Sequence, residues 1–307
     1  GGSTSFDWAR AHPITLVESG PSAGVNGAAL VGELCNEPSV IYLDIGGTTA
    51  KCSVIMNGEV TVTTGYKLEW SRTNPGYPVK VPVVDIVEIG TGGGSVAWFD
   101  RVGSLKVGPV SAGADPGPAC YGQGGTEPTV TDAKLLTGVL DPDYFAGGQI
   151  KLDRAKAAAA MQKIADGLGV NVEEAADAVI RLADADMINA LKLVSIQRGH
   201  DPRDFVLVVG GGGGAMHAAT LGRELGAREV IVPRYPGYFS AWGMLATEPR
   251  RDFVRTRLMR ADGVTADDVR TLYTELRDEA EEYFGSDTNV DAEDLSFAGR
   301  IDLRYQG

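Results

Sequence analysis

SVIYLDIGGTTAKCSVIMNGEVTVTTG, residues 39–65, carries three strand-forming runs separated by two turns. Ser39–Leu43 is apolar and partly β-branched, which predicts a buried strand ending in Asp44, and CSVIM at 52–56 predicts a second. The glycine loop IGGTTAK lies between them. Asn57-Gly58 is a strong hairpin signal, since both residues tolerate the positive φ of a type I′ turn, and EVTVTTG then reads as a third strand. The three make an antiparallel meander with a Gly-Gly turn between its first two members.

Upstream, ITLVE (14–18) reads as a strand and GVNGAALVGEL (24–34) as a helix. Downstream, a stretch from about 67 to 148 is rich in Gly and Pro, holds GTGGGS (90–95) and SAGADPGPACYG (111–122), and is expected to be irregular. DRAKAAAAMQKIADGL predicts a helix with Asp153 as N-cap and Gly167 or Gly169 closing it. A long amphipathic helix is expected from Glu173 to about Gln197, ended by Arg198-Gly199. FVLVVG (205–210) reads as a strand, GGGGAMHAATLGREL as a glycine-opened helix, EVIVP as a strand and Ser240–Ala246 as a short helix. The order β-β-β-α-β-α-β-α resembles the ribonuclease-H-like unit that builds each lobe of actin, sugar-kinase and Hsp70-type ATPases. After Pro249 a strand, a charged helix near Asp267–Phe284 and a closing strand FAGRIDLRY (297–305) are expected.

The expected fold class is therefore α/β, an actin-like lobe with a glycine- and proline-rich insertion and the start of a C-terminal α+β domain. Residues 1–38 would be an inter-lobe segment and helix. Residues 39–248 would form the lobe, with the insertion at about 67–148, and residues 249–307 would begin the next domain. No internal repeat is seen.

Composition narrows the function. Among 307 residues, 28 Lys and Arg against 41 Asp and Glu give a formal charge of −13. Nucleic acid and anionic membrane both need a cationic surface, so neither is expected as a partner. No apolar run reaches the roughly 18–20 residues of a membrane span. GGSTSFDWAR shows no signal-peptide pattern and reads as a chain entered mid-fold, a processed product or a fragment. Cys35, Cys52 and Cys120 are widely spaced without a CxxC pair, which suggests neither disulfides nor a thiolate zinc site and points to a reducing cytoplasm. His12, His200 and His217 are far apart with no HExxH helix, so a histidine-rich zinc site is not expected.

Glycine is unusually abundant, 41 residues, and it clusters where backbone would approach a ligand. In Asp44-Ile45-Gly46-Gly47-Thr48-Thr49 the glycines let N–H groups face a phosphate, and both threonines offer hydroxyls. Asp44 is suited to hold Mg²⁺ through water or to orient an attacking water. The competing reading is a plain glycine hairpin whose Asp caps its own turn.

Gly210–Gly214, between strand and helix, suits a nucleotide through the helix N-terminus. It also fits GxGxxA, but the next strand ends VIVPRY without the acidic residue that holds a ribose. Gly-Lys occurs nowhere, which excludes a P-loop. Gly20-Pro21-Ser22-Ala23-Gly24 fits GxSxG, with Ser22 as nucleophile and His200 or His217 as base, although Pro21 disfavours the strained turn and no HGGG-type loop is present. His217 alone reads as a packing or hydrogen-bonding residue, and Cys120 as a small buried residue ahead of a reactive thiol.

Taken together, these motifs resemble the A-type subunit of the hydantoinase/5-oxoprolinase family, which includes acetone and acetophenone carboxylase subunits. The likeness runs in order through ESGPSAGVNGA, DIGGTTAK, VDIVEIGTGGGSVAW, VGPVSAGADPGPACYG, PTVTDA, VSIQRGHDPRDF, GGGGAMHA, VIVPRYPGYFSAWGML and RRDF, across most of residues 16–253. It implies an actin-like ATP-binding fold working with a B-type partner subunit or domain and with Mg²⁺ or Mn²⁺ at Asp44. ATP would phosphorylate the oxygen of a cyclic amide, or of an enolised ketone and bicarbonate.

By position, Asp44, Gly46, Gly47, Thr48 and Thr49 fall on the family's second phosphate loop. Gly211, Gly212, Gly214 and His217 fall on its GGAGPLH loop. This chain departs at Thr49-Ala50-Lys51, where STD is common, and at Gly213 and Ala215, where Ala and Pro are usual. Family members carry a further N-terminal lobe with its own DxGGT-like loop, so residues 1–307 alone are expected to bind ATP weakly and not to turn it over. A non-catalytic nucleotide-binding module is the alternative.

Overall fold

A computed structural model describes residues 2–305 apart from 70–72, 288, 289, 291 and 304. Its contacts divide the chain into two compact units, residues 18–247 and residues 1–17 with 248–307.

The larger unit is built on strand β1 (Val40–Ile45), which is apolar to both sides and therefore central. Successive side chains alternate between faces. Val40 and Tyr42 join one core, while Ile41, Leu43 and Ile45 join another. β2 (Ala50–Met56) runs antiparallel to β1 with Lys51 opposite Asp44. Asn57 and Gly58 take φ of 52° and 78°, the expected type I′ turn, into β3 (Glu59–Val60). β4 (Val87–Ile89) pairs with the opposite end of β2, and β5 (Ser95–Phe99) with β6 (Leu105–Ser111) forms a separate hairpin. On the other side of β1 lie β7 (Val206–Gly210) and β8 (Glu229–Ile231), both parallel. The sheet order is β8-β7-β1-β2-β3, with β4 also on β2. A three-strand meander with two parallel strands beside its first member is the ribonuclease-H-like lobe of actin-type ATPases.

Helices cover both faces. α1 (Ser19–Leu34) packs Val25 and Ala28 on Val40, Tyr42 and Val208. Further along the chain come α2 (Val130–Leu136), α3 (Arg154–Leu168), α4 (Val172–Val194), α5 (Gly214–Leu225) and α6 (Phe239–Leu245). Asp153 caps α3 by accepting from Lys156 N, Gly169 closes it in the left-handed conformation, and Asn171 with Glu174 forms a capping box on α4. α4 serves two cores. Its Met187 and Leu191 lie under the sheet with Leu221 of α5, whereas its Ala176 and Val179 pack on Met161 of α3 and Val130 of α2.

Several expectations change. The stretch 67–148 is not irregular: it supplies β4 to the main sheet, and the β5–β6 hairpin and α2 to a second buried core. Some of its glycines mark close approaches, as Gly90 to Pro109 and Gly125 to Gly117. EVTVTTG does not make one strand, because Val62–Thr63 leaves the sheet to pair with Val83–Val84.

ITLVE is not a strand either. Pro13–Leu16 is a 3-10 turn and α1 begins at Ser19, with Pro21 in its first turn, where a missing N–H costs nothing. In the smaller unit neither the strand after Pro249 nor FAGRIDLRY forms among the described residues, and Arg304 lies outside them. Among the described residues no neighbouring strand supplies the ladder hydrogen bonds that an isolated strand needs. The helix there spans Ala266–Asp287. Arg251 ties this unit together, its guanidinium lying 3.5 Å from the Trp8 ring, 4.0 Å from Tyr283 and 4.7 Å from Phe253.

Candidate functional site

β1 and β7 are neighbouring parallel strands in register, with Asp44 beside Gly210, so the loops that follow them emerge together at their carboxyl ends. In open α/β sheets that edge is where ligands bind. The first loop is closed by Gly46 N donating to Thr49 O at 3.0 Å. The second is locked to the first, since Gly213 N donates to Ile45 O at 2.8 Å. Gly211 takes φ +80°, and a Cβ there would strike Ile45 O and Asp44 Oδ1. A side chain at Gly47 or Gly212 would meet nothing within 4 Å, so both glycines border open space. The structure thus brings Asp44, Gly46–Thr49 and Gly211–Gly214 together.

GTGGGS, left without a role by the sequence, is the floor under the first loop. Gly93 N donates to Gly46 O at 3.0 Å and Gly94 N to Gly47 O. Thr131, in the first turn of α2, donates to Gly93 O through both N and Oγ1 at 2.8 Å. Thr48 Oγ1 donates to Ser111 Oγ at 3.3 Å. Asp44 is also held: its Oδ2 accepts from Tyr42 Oη at 3.1 Å and Ser240 Oγ at 3.0 Å. Neither Tyr42 nor Ser240 had a distinguishing signal in the sequence.

His217 is enclosed, 1% exposed, on the inner face of α5. Its Nδ1 faces Asp184 Oδ1 at 2.5 Å, and its Nε2 is buried without a hydrogen-bond partner. Burial pushes the imidazole pKa down against the pull of Asp184, so the ring is neutral and Nδ1–H is the donor. Lys134 is buried beside this pair and donates to Met216 O at 2.7 Å. Burial lowers its pKa while Asp184 opposes the shift. The arrangement fixes the start of α5, and hence the second glycine loop, from inside the protein.

Lys51 meets Glu18 at 2.9 Å and Glu88 at 3.5 Å. Burial disfavours its ammonium, but the Glu18 hydrogen bond and both carboxylates leave its pKa raised. Ser22 lies within α1 and not on a strand-to-helix elbow, so the GxSxG reading does not hold. Cys120 is fully buried with its N–H on Asp132 Oδ1 at 2.7 Å, and burial pushes its thiol pKa well up, which removes it as a nucleophile. Among the described residues no helix is long and apolar enough to cross a membrane.

The paired glycine loops on adjacent parallel strands thus form one open edge of the six-stranded sheet, and sequence comparison specifies the chain further. The profile of the hydantoinase/oxoprolinase family matches residues 1–253, and the chain belongs to that family. An uncharacterised protein of Methanocaldococcus jannaschii is 39% identical over all of this chain and 45% of its own length. Caprolactamase subunit alpha of Pseudomonas jessenii is 35% identical over 97% of this chain and 42% of its own. The crystal structure of that ATP-dependent caprolactamase superposes with a TM-score of 0.73 at 37% identity, covering 88% of this chain and 38% of the other. A nucleotide-free acetone carboxylase, from a study of ATP-dependent acetone carboxylation, gives 0.73 at 31% identity with the same coverages. The chain spans less than half the length of these relatives.

Proposed function

We propose that residues 39–248 are the ATP-binding lobe of an enzyme that activates a cyclic amide by phosphorylating its oxygen, in the manner of a hydantoinase or oxoprolinase. The observation that carries this reading is the pair of glycine loops at the carboxyl ends of β1 and β7, joined by Gly213 N to Ile45 O, with Asp44 between them. Gly46, Gly47, Thr48 and Thr49 would line one side of the phosphates, and Gly211, Gly212 and Gly214 the other. His217 would act through α5 by fixing its first turns.

The site fits a hydrated Mg²⁺ or Mn²⁺ held partly by ATP. Among the described residues no group of three or more His, Cys, Asp or Glu is placed to hold a metal unaided. A single carboxylate beside open space suits a cation that brings phosphate oxygens and water as its other ligands. When bound, such a cation neutralises charge on the phosphate oxygens.

Transfer of the γ-phosphoryl group to the amide oxygen makes phosphate the leaving group of the ring carbon. Water then adds at that carbon and the C–N bond breaks with a proton passing to nitrogen, which leaves an acyl phosphate; a second water attacks its carbonyl and phosphate departs. ATP, lactam and two waters give ADP, phosphate and the ring-opened amino acid. The name of the relative, caprolactamase subunit alpha, supports an amide substrate and at least one further subunit. A B-type partner and a cytoplasmic location belong to the same proposal. The likeness to acetone carboxylase supports a ketone with bicarbonate as the second reading.

Phosphate release by the complete enzyme, purified with whatever subunit accompanies it, separates these readings. Hydantoin, 5-oxoproline, caprolactam, and acetone or acetophenone with bicarbonate form the panel. The proposal expects one lactam or hydantoin to raise phosphate release at least about tenfold over the substrate-free rate, in step with ring opening. Stimulation by a ketone alone moves the assignment to a carboxylase. No stimulation by any of them favours the non-catalytic module.

A further inference from the structure

The GPSAG motif in α1 has no nucleophile, yet its last glycine is sterically required. A Cβ on Gly24 would stand 2.6 Å from Tyr42 Oη and 2.7 Å from Ser240 Oγ. These two hydroxyls are the ones that donate to Asp44 Oδ2, at 3.1 and 3.0 Å. The Tyr42 ring has little freedom to leave. A Cβ on Gly210 would collide with its hydroxyl and lie 3.1 Å from Cε2, and the Phe239 ring packs 5.6 Å away, centroid to centroid.

Ser240 is fixed by its helix. α6 lies on α1 through Gly27 and Gly243, where a Cβ on Gly27 would be 3.0 Å from Gly243 Cα and one on Gly243 would strike Ala23 O. The carboxylate of Asp44 therefore has one oxygen engaged by two donors. Its other oxygen, Oδ1, lies on the side of Gly211, whose missing Cβ it would touch.

We propose that Tyr42 and Ser240, admitted by Gly24, are positioning residues that hold Asp44 in the one orientation that presents Oδ1 to the glycine loops. This rests on the reading of Asp44 as the carboxylate serving the phosphate site. The physical basis is the softness of the terminal carboxylate torsion, which has broad minima unless hydrogen bonds select one. A carboxylate that must find its orientation at each turnover loses the advantage of fixed geometry. Because Ser240 rides on α6, the distance between α6 and α1 sets the alignment of Asp44.

The test uses the complete enzyme with its accompanying subunit and four variants: Ser240→Ala, Ser240→Thr, Gly24→Ala and Asp44→Asn. Three quantities are read: kcat and KM for ATP, the thermal midpoint, and Mn²⁺ affinity in the presence of a non-hydrolysable ATP analogue, followed by the free Mn²⁺ resonance. Ser240→Ala is expected to lower kcat about tenfold with KM changed less than about twofold, and to weaken Mn²⁺ binding about fivefold. Ser240→Thr, which keeps the hydroxyl, is expected to recover most of both losses. Gly24→Ala is expected to act like Ser240→Ala although it deletes no polar group.

Wild-type kcat and Mn²⁺ affinity in folded Ser240→Ala and Gly24→Ala, with Asp44→Asn inactive, would overturn the positioning proposal and leave the Asp44 reading standing. A loss that follows the thermal midpoint and is not recovered by threonine would overturn it as well. Full activity of Asp44→Asn would overturn the Asp44 reading itself. If Ser240→Ala does not fold, Tyr42→Phe removes the other donor and is read in the same way.

Discussion

Asp44→Ala is expected to lower substrate-dependent ATP hydrolysis about a hundredfold or more, the scale on which a positioned electrostatic group acts. The side chain is half-buried at the end of β1, and the hydrogen bonds it accepts come from Tyr42 and Ser240. Both donors are hydroxyls that can turn to each other or to water once the carboxylate is gone. The fold should therefore survive, and the loss should appear in turnover. Full turnover in a folded Asp44→Ala protein would remove the residue from the mechanism.

Gly92→Ala should be nearly as damaging, for a different reason. Its new Cβ would lie 2.7 Å from Gly46 O and 3.0 Å from both Gly47 C and Thr48 C. These are backbone atoms of the first glycine loop, so no side chain is available to swing aside. Either the loop is pushed outward or the floor retreats and breaks the bonds from Gly93 and Gly94 to Gly46 and Gly47. Overpacking of this kind costs about 1–3 kcal/mol, and ATPase activity is expected to fall about a hundredfold as the loop moves. Thermal unfolding and ATPase assays on the same preparation check both parts. An unchanged midpoint together with unchanged ATPase would show that the floor does not set the loop.

The residues that shaped the fold were legible because their signals are local. The continuous apolar run of Val40–Leu43, the Asn57-Gly58 turn, and the caps at Asp153 and Gly169 each depend on a few neighbours in sequence. The two glycine loops were legible for the same reason. What escaped depends on distance. Ser240 reaches Asp44 across 196 residues and Thr131 reaches Gly93 across 38, contacts that no periodicity announces. GTGGGS stood out as glycine, but its partner loop lies more than forty residues away.

The stretch 67–148 looked irregular because its strands beyond β4 and the β5–β6 hairpin are only two residues long, too short for alternation to register. ITLVE misled in the opposite sense, since its β-branched run suggests a strand that has no sheet edge to join. Lys51, where the resemblance leads one to expect an acidic residue, pairs with Glu18 and Glu88.

Backbone hydrogen exchange of the complete enzyme, with and without a saturating non-hydrolysable Mg-ATP analogue, tests the assignment of the two loops most directly. The N–H groups of Gly46, Gly211 and Gly213 are already bonded within the fold, so phosphates seated between the loops would engage the tips, at Gly47 and Gly212, and hold both segments still. Exchange in both segments is predicted to slow at least about tenfold, with little change in the helix at 154–168, which lies in the separate inserted core. Unaltered exchange in both loops at saturating nucleotide, or protection confined to other parts of the chain, would contradict the account.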